Sequence, residues 1–294
     1  MVKKRSQPIA ERAEMVFGSM PRDDGHLTLN QLERAGLLEA APEVATIIKP
    51  YLGSREILRS ENRYCLWVDD AQVEFAENFA EIAERFKRTE SFRSESSNAT
   101  TNAFAKRSHR FVEIRHQDSV VIAVPGVSSA RRDYVPLAML PSGTVLSNLC
   151  YAVYGNEPWL FGLLHSSMHM AWVSAVAGRM KLDYRYSNTL CYNTFPFPNL
   201  NDSERDTLSS SAFNILAARE RWPDRSLAEM YDPDEMPANL RQAHEENDAL
   251  VDSLYRTKPF GSDADRMEML LGMYRDLVAE AEAGKSKKST KGGK

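Results

Sequence analysis

The sequence has few cysteines and no long apolar run. Cys65, Cys150 and Cys191 are spread over 294 residues without paired spacing. This pattern is typical of free thiols in a reducing cytoplasm, and it excludes a disulfide framework or a cysteine-rich zinc site. No stretch approaches the roughly 18 apolar residues of a membrane span, and the basic residues 1–5 are not followed by the apolar segment of a secretory signal. We therefore expect a cytoplasmic protein without a membrane partner.

The motifs that usually identify an enzyme are also missing. The chain contains no GxGxxG or GxxxxGK[ST] segment, so no nucleotide-binding loop is evident. No two prolines are adjacent, which excludes the Pro-Pro-aromatic motif of amino-methyltransferases. His165 and His169 have the spacing of a zinc-protease pair, but Ser166 stands where a glutamate would act as general base. We expect no catalytic residue and no metal site in this chain.

Charge is distributed unevenly, although the net charge is only −4. Residues 85–132 carry ten lysines and arginines against four acids, whereas residues 200–284 carry nine against nineteen. The last ten residues, 285–294, hold five lysines and no acid. Such segregation indicates that one part of the chain faces a polyanion, although blocks of charge can also be plain solvated surface.

The hydrophobic pattern predicts an α+β fold, with a mixed α/β domain followed by an all-α helical domain. We expect helices at 28–40, from Asp70 to about residue 88, at 145–154 and at 158–177, a polar loop at 89–110, and strands at 111–115, 119–124 and 134–140. From residue 199 the pattern is helical, with a capping box at Ser203 and Asp206 and further helices from Pro237 and Asp263. The predicted segments are a linker at 1–45, a mixed domain at 46–198, a helical domain at 199–284 and a disordered basic tail at 285–294.

Two groups of residues could bind a nucleic acid. Ser128, Ser129, Arg131 and Arg132 lie in a loop between two predicted strands, where arginine forks could pair with guanine and serine hydroxyls with bases or phosphates. The alternative is an ordinary solvent-exposed turn. Cations that could contact phosphates lie before and after this loop, at Lys106, Arg107, Arg110, Arg115, Lys181 and Arg185. The alternative for the last two is a strand with half-buried tyrosines.

Several segments, in order along the chain, resemble the MmeI-like (type IIL) restriction–modification enzymes. The similar segments are residues 50–54, 63–67, 124–136, 161–166, 184–187, 192–198, 227–233, 236–237 and 243–248. In that family one polypeptide carries an endonuclease domain, a connector, an adenine methyltransferase domain that uses S-adenosylmethionine, a target-recognition domain and a helical tail. This chain resembles the last two, from about residue 17 to 277.

The resemblance implies that Ser128, Ser129, Arg131 and Arg132 read base edges of double-stranded DNA. Family members often carry an acidic residue near Ala130, so its absence here implies a different target base or a lost contact. The resemblance also implies that residues 3–21 correspond to a linker leading out of a methyltransferase domain. S-adenosylmethionine is then expected on that missing domain and not on this chain.

Three functions remain open from the sequence. The chain could be a bacterial DNA-recognition subunit that acts with a separately encoded methyltransferase chain. It could instead be an intact transferase, which the missing cofactor and Pro-Pro motifs argue against. It could also be the non-functional remnant of a truncated methyltransferase gene.

Overall fold

The computed structural model describes the backbone of residues 2–291 and the side chains of residues 2–283. The chain forms two compact units: the first contains residues 16–123 and 140–152, and the second contains residues 1–15, 124–139 and 153–294. The chain passes from one unit to the other within four strands, β1 (Met15–Phe17), β5 (Val121–Pro125), β7 (Ala138–Leu140) and β9 (Cys150–Tyr154). Among the described residues, no helix is long and apolar enough to cross a membrane.

The first unit is built on a four-stranded sheet with the order β2-β4-β3-β8. Its elements are β2 (Thr28–Leu29), α1 (Gln31–Ala40), β3 (Ile48–Leu52), α2 (Ser54–Arg59), β4 (Tyr64–Leu66), α3 (Val73–Glu77), α4 (Ala80–Ser94), α5 (Ala99–Ala103) and β8 (Val145–Leu146), with 3-10 turns at 42–47 and 105–107. Residues 16–45 are therefore not a connector, since Leu27, Leu29, Leu37 and Val44 lie in the core of this unit. The helix predicted at 28–40 is present as α1, where Asn30 and Glu33 form a capping box.

The helix predicted to start at Asp70 is interrupted. The chain forms α3 and then α4, with a break at Asn78 and Phe79, and Asp70 lies before the first of them. The expected apolar face is present, because Ile82 and Phe86 are buried in the core. Residues 89–110 are not the polar loop that we expected, since α4 continues to Ser94 and α5 follows.

A buried arginine organises this supposed loop. Arg93 donates hydrogen bonds to the carbonyl oxygens of Pro21 (2.7 Å), Arg22 (3.0 Å), Phe104 (3.2 Å), Arg107 (2.9 Å) and Arg110 (2.7 Å). Burial lowers the pKa of this guanidinium to about 10, and nearby Asp23 opposes the shift. Five backbone carbonyl groups share one buried side chain as their donor, so the segment is ordered by tertiary contacts that its polar composition does not reveal.

The second unit combines a small sheet with a helical bundle. Its elements are β6 (Val127–Ser128), α6 (Pro158–Leu164), α7 (Ser167–Val176), β10 (Gly178–Met180), β11 (Asp183–Arg185), α8 (Asp202–Glu220), α9 (Leu227–Met230), α10 (Ala238–Tyr255) and α11 (Asp263–Lys291), with a π-helical turn at 188–192. Helix α8 packs on both α6 and α10. Gly162 in α6 suits this close approach, because an added Cβ would lie 3.1 Å from Leu208 Cδ1 and 3.2 Å from Asn247 Oδ1.

Several predictions for the middle of the chain need correction. Residues 145–154 are not a helix but the strands β8 and β9. Side chains 150–153 are all buried, and an unbroken apolar run does not distinguish a buried strand from a buried helix. The helix predicted at 158–177 breaks at His165, because Ser166 caps a second helix by accepting a hydrogen bond from the His169 amide. The expected strand at 111–115 is reduced to a single bridge between Met20 and Glu113. Of the strand expected at 134–140, only β7 forms.

The C-terminal helices lie close to where we expected them. The capping box of α8 is formed by Asn201 and Glu204, not by Ser203 and Asp206. The last helix continues to Lys291 and so enters the segment predicted to be disordered. Side chains from residue 284 onward, and the whole of residues 292–294, lie outside the described residues.

Candidate nucleic-acid interface

The predicted base-reading loop starts from a short strand in the three-stranded sheet β10-β11-β6. Ser128, in β6, is paired with Tyr184 in β11. Beyond this strand, the amide of Arg131 donates to the Ser129 hydroxyl (3.3 Å) and the amide of Arg132 donates to the Ser129 carbonyl (3.2 Å). The sheet and this tight turn together fix the backbone of residues 128–132, which we call the recognition loop.

The same sheet brings the second predicted group to the recognition loop. Strands β10 and β11 form an antiparallel hairpin in which Met180 pairs with Asp183. Because β11 and β6 are also antiparallel, the start of β11 lies beside the end of β6 that leads into the recognition loop. The hairpin turn at Lys181, which has a left-handed φ of +57°, therefore projects from the same end of the sheet as the loop. Arg185 is exposed opposite Val127.

The two arginines of the recognition loop have different surroundings. Arg131 is 65% exposed and its Nη2 lies 2.5 Å from Asp234 Oδ2 and 4.0 Å from Asp232 Oδ1. Arg132 is half-buried and lines a cavity of about 300 Å³. Burial lowers the pKa of Arg132, while the carboxylates of Asp232 and Asp183 oppose the shift. One guanidinium is thus tied to an acidic turn, and the other faces a polar cavity.

The serines differ in accessibility as well. Ser128 is only 3% exposed, so its side chain is not displayed at the surface. Ser129 is half-buried and its hydroxyl already accepts a hydrogen bond within the turn. The loop therefore displays Arg131, Arg132 and part of Ser129, while Ser128 anchors it to the sheet.

The predicted phosphate contacts Lys106, Arg107, Arg110 and Arg115 all lie in the first unit. Lys106 pairs with Glu90 at 2.5 Å. Arg107 (2.8 Å), His109 (2.8 Å) and Arg110 (3.0 Å) converge on the carboxylate of Asp70. Hydrogen bonds from His109 and Arg107 lower the pKa of Asp70 to about 2. Arg115 is exposed. Part of the positive charge in this stretch is therefore balanced by acids that precede it in the chain.

Sequence reasoning missed two residues at the recognition loop. The guanidinium of Arg179 lies 3.9 Å above the ring of Tyr184 and donates to the Leu182 carbonyl at 3.3 Å. Asp234 approaches Arg131 from 103 positions away in the chain. The alternation of basic and aromatic residues at 178–187 hinted at the first contact. No local signal indicates the second.

His165 and His169 are both buried and contribute to the packing of the second unit. The Arg219 Nη2 atom lies 3.2 Å from His165 Nδ1. Burial and this neighbouring cation together hold the pKa of His165 well below its usual range. His169 lies 3.0 Å from the Tyr186 hydroxyl, and burial lowers its pKa to about 3. Within residues 2–283, no group of three or more His, Cys, Asp or Glu side chains is placed to hold a metal ion.

Among the described residues, the turn from β9 into α6 does not have the composition of a nucleotide-binding loop. The turn from β9 into α6 carries one glycine, Gly155, where nucleotide-binding turns carry several. Glu157 precedes the first turn of α6 as its N-cap. Its carboxylate would oppose an anionic group at that helix end.

Comparison with known families gives two adjoining matches. Residues 1–199 match the model of the MmeI target recognition domain, and residues 200–282 match that of the MmeI C-terminal domain. The resemblance that was drawn from short segments is thereby confirmed over nearly the whole chain.

Two proteins illustrate the similarity. DNA methyltransferase A of Bacillus subtilis (strain 168) is 39% identical over 278 residues, which are 95% of this chain and 32% of that protein. The solved structure of the type IIL restriction–modification enzyme MmeI in complex with DNA superimposes with a TM-score of 0.88 at 33% identity, over 94% of this chain and 37% of that chain. The chain thus spans about a third of the length of these relatives.

Proposed function

The chain belongs to the MmeI family through its target recognition and C-terminal domains, and we propose that it is the DNA-reading part of a restriction–modification methyltransferase. The observation that carries this proposal is the recognition loop, fixed at one end of a sheet beside a basic hairpin turn. A rigid loop that displays guanidinium forks suits the major groove, where arginine can pair with O6 and N7 of guanine.

The side chains divide into two roles under this proposal. Arg131, Arg132 and Ser129 contact base edges, and buried Ser128 holds the loop in place. Lys181 and Arg185 contact phosphates next to the recognition loop. The first unit contacts phosphates through Lys106, Arg107, Arg110 and Arg115. Arg107 and Arg110 must first break their ion pairs with Asp70 before they can bind a phosphate.

We further propose that methyl transfer from S-adenosylmethionine to adenine takes place on a separately encoded cytoplasmic methyltransferase chain. The similarity to DNA methyltransferase A supports the reaction class. Equilibrium dialysis with labelled cofactor tests the division of labour. This chain should bind no cofactor by itself, and it should co-purify with a methyltransferase chain encoded beside it. Clear cofactor binding by this chain alone would contradict the separate catalytic chain.

DNA recognition itself is tested by selection from a random-sequence duplex library. The full chain should enrich one short sequence, and its affinity for duplex DNA should fall steeply between about 50 and 200 mM salt through counterion release. If the chain binds no duplex at the lower salt concentration, the proposed function is wrong and the chain is a non-functional remnant of a methyltransferase gene.

A further inference from the structure

The turn of the β10–β11 hairpin displays apolar side chains to solvent. Leu182 is 84% exposed and Met180 is 47% exposed. Single exposed leucines are common on protein surfaces, but here two large apolar groups flank Lys181 at the tip of one hairpin. We call residues 180–182 the hairpin tip.

Folding alone does not account for this sequence at the tip. Lys181 has a left-handed φ of +57°, a conformation in which glycine or asparagine is favoured over a long side chain. Leu182 buries little of its surface in the protein. Neither residue favours the stability of the hairpin. We therefore expect a contact of the tip with another molecule.

The surroundings of the tip identify the kind of molecule. The tip and the recognition loop project from the same end of the sheet, because Ser128 pairs with Tyr184 in antiparallel register. The hairpin has a net positive charge, because its one acid, Asp183, is outnumbered by three cations: Lys181 at the tip, Arg185 at the end of β11, and Arg179, whose guanidinium is stacked on Tyr184. Positive charge around an apolar point is complementary to a nucleic acid, whose phosphates surround stacked bases.

We propose that the hairpin tip enters a groove of the same duplex that the recognition loop reads, and that Leu182, assisted by Met180, packs against the bases there. Lys181, Arg179 and Arg185 then contact the flanking phosphates. Apolar wedges of this kind partly unstack a base step and bend the duplex. The inference rests on the proposed DNA-reading function and adds to it a contact that does not depend on charge.

The test compares Leu182→Ser with Leu32→Ser in the full chain. Leu32 is 82% exposed on α1 in the first unit, so it matches Leu182 in chemistry and exposure. Affinity is measured by fluorescence anisotropy on a labelled duplex of mixed sequence at several salt concentrations. Leu182→Ser should weaken binding about tenfold, the value for loss of one buried leucine contact, without changing the salt dependence. Leu32→Ser should bind like the wild type.

A second measurement detects the wedge directly. Duplexes with 2-aminopurine in place of individual adenines should brighten on binding wild-type protein where the base step opens. Leu182→Ser should lose this increase, and Leu182→Met should retain most of it. Lys181→Ala should instead reduce the slope of log affinity against log salt by about one.

The outcomes separate the two proposals. If the wild type binds duplex DNA and Leu182→Ser binds equally well with the same fluorescence, the hairpin inference is wrong and the proposed function stands. If Leu182→Ser binds DNA normally but no longer retains a methyltransferase chain, the tip is a protein-docking site and the inference is again wrong. If the wild type binds no duplex, both proposals fail.

Discussion

The Nη2 atom of Arg131 lies 2.5 Å from the carboxylate of Asp234, so the acidic C-terminal part of the chain holds one arginine of the recognition loop. Both side chains are exposed, Arg131 to 65% and Asp234 to 77%. An exposed ion pair of this kind contributes little to stability because water competes for both partners. The guanidinium is therefore available for exchange, and under the proposed function DNA must displace Asp234 before Arg131 can contact a base or phosphate.

Replacing Asp234 by asparagine should raise affinity for duplex DNA. The variant removes the carboxylate that competes with DNA for Arg131, and we expect a roughly twofold to fivefold tighter complex at low salt. The measurement is a binding isotherm by fluorescence anisotropy.

The matched control is Asp224→Asn, which changes the net charge equally at another exposed position of the same unit. If both variants tighten binding to the same extent, the effect is one of overall charge. If Asp234→Asn weakens binding, Asp234 orients Arg131 toward DNA instead of competing with it.

A similar exchange is expected at Asp70 in the first unit. This carboxylate receives Arg107, His109 and Arg110 at 2.8–3.0 Å. Its pKa of about 2 keeps it ionised at every pH used for binding. Asp70→Asn should free two guanidinium groups and steepen the salt dependence of DNA binding by one to two counterions, roughly one for each phosphate contacted.

Glu39→Gln provides the control for Asp70→Asn, since Glu39 is an exposed acid of the same unit. A steeper slope in Asp70→Asn but not in Glu39→Gln places Arg107 and Arg110 at the phosphate backbone. A reduced affinity for Asp70→Asn would mean that Asp70 positions these cations, and that they act only when it holds them.

The contacts at Asp70 and Asp234 show what the sequence could and could not predict. The basic character of residues 85–132 was visible, but the acids that balance Arg107 and Arg131 belong to other segments that only the fold brings near. The recognition loop was recognisable as a polar, arginine-bearing stretch between strands. The sequence did not predict that the hairpin lies beside this loop, because the pairing of Ser128 with Tyr184 joins residues far apart in the chain.

Secondary structure followed the same division. Helices with a one-sided apolar pattern, such as α4 and the Asn30-capped α1, could be predicted from local sequence. The strands at 145–154 could not be predicted, because residues 149–154 form an apolar run without periodicity. Residues 89–110 could not either, because the ordering of that segment depends on the buried guanidinium of Arg93.

Protein stability should fall in mild acid because of buried histidines. The pKa of His169 is about 3 in the folded protein and about 6.5 in the unfolded chain. The unfolded state therefore binds the extra proton between these values, so the stabilisation is complete above about pH 6.5 and is lost progressively as the pH falls. The groups facing this imidazole are Arg12 and the Tyr186 hydroxyl.

Urea unfolding of wild type and His169→Gln isolates this contribution. One such histidine accounts for about 1.4 kcal/mol per pH unit, so the free energy of unfolding of the variant should lose about 2 kcal/mol less than that of the wild type between about pH 6.5 and 5. His26→Gln controls for removal of an imidazole that is only half-buried. Equal pH dependence in His169→Gln and wild type would show that His169 is not neutral in the fold.

Arg132 should determine preference at one base pair. In the sequences selected by Arg132→Ala, we expect one position to become degenerate, with discrimination there reduced by about 1–3 kcal/mol. Lys106→Ala and Arg107→Ala should instead weaken binding to all sequences about equally, because phosphates carry no sequence information. Sequencing of the bound fraction from a random-sequence library measures both effects.

Arg132→Lys separates the geometry of the side chain from its charge. Lysine keeps the positive charge at the cavity beside Asp232 and Asp183 but lacks the planar fork that pairs with two acceptors of guanine. We expect this variant to retain the affinity of the wild type for mixed-sequence duplex and still to lose preference at the same position as Arg132→Ala. An equal loss of affinity across all sequences in Arg132→Ala, with selectivity kept in Arg132→Lys, would assign Arg132 to the phosphate backbone. Base reading would then fall to Arg131, whose release from Asp234 would become the step that controls recognition.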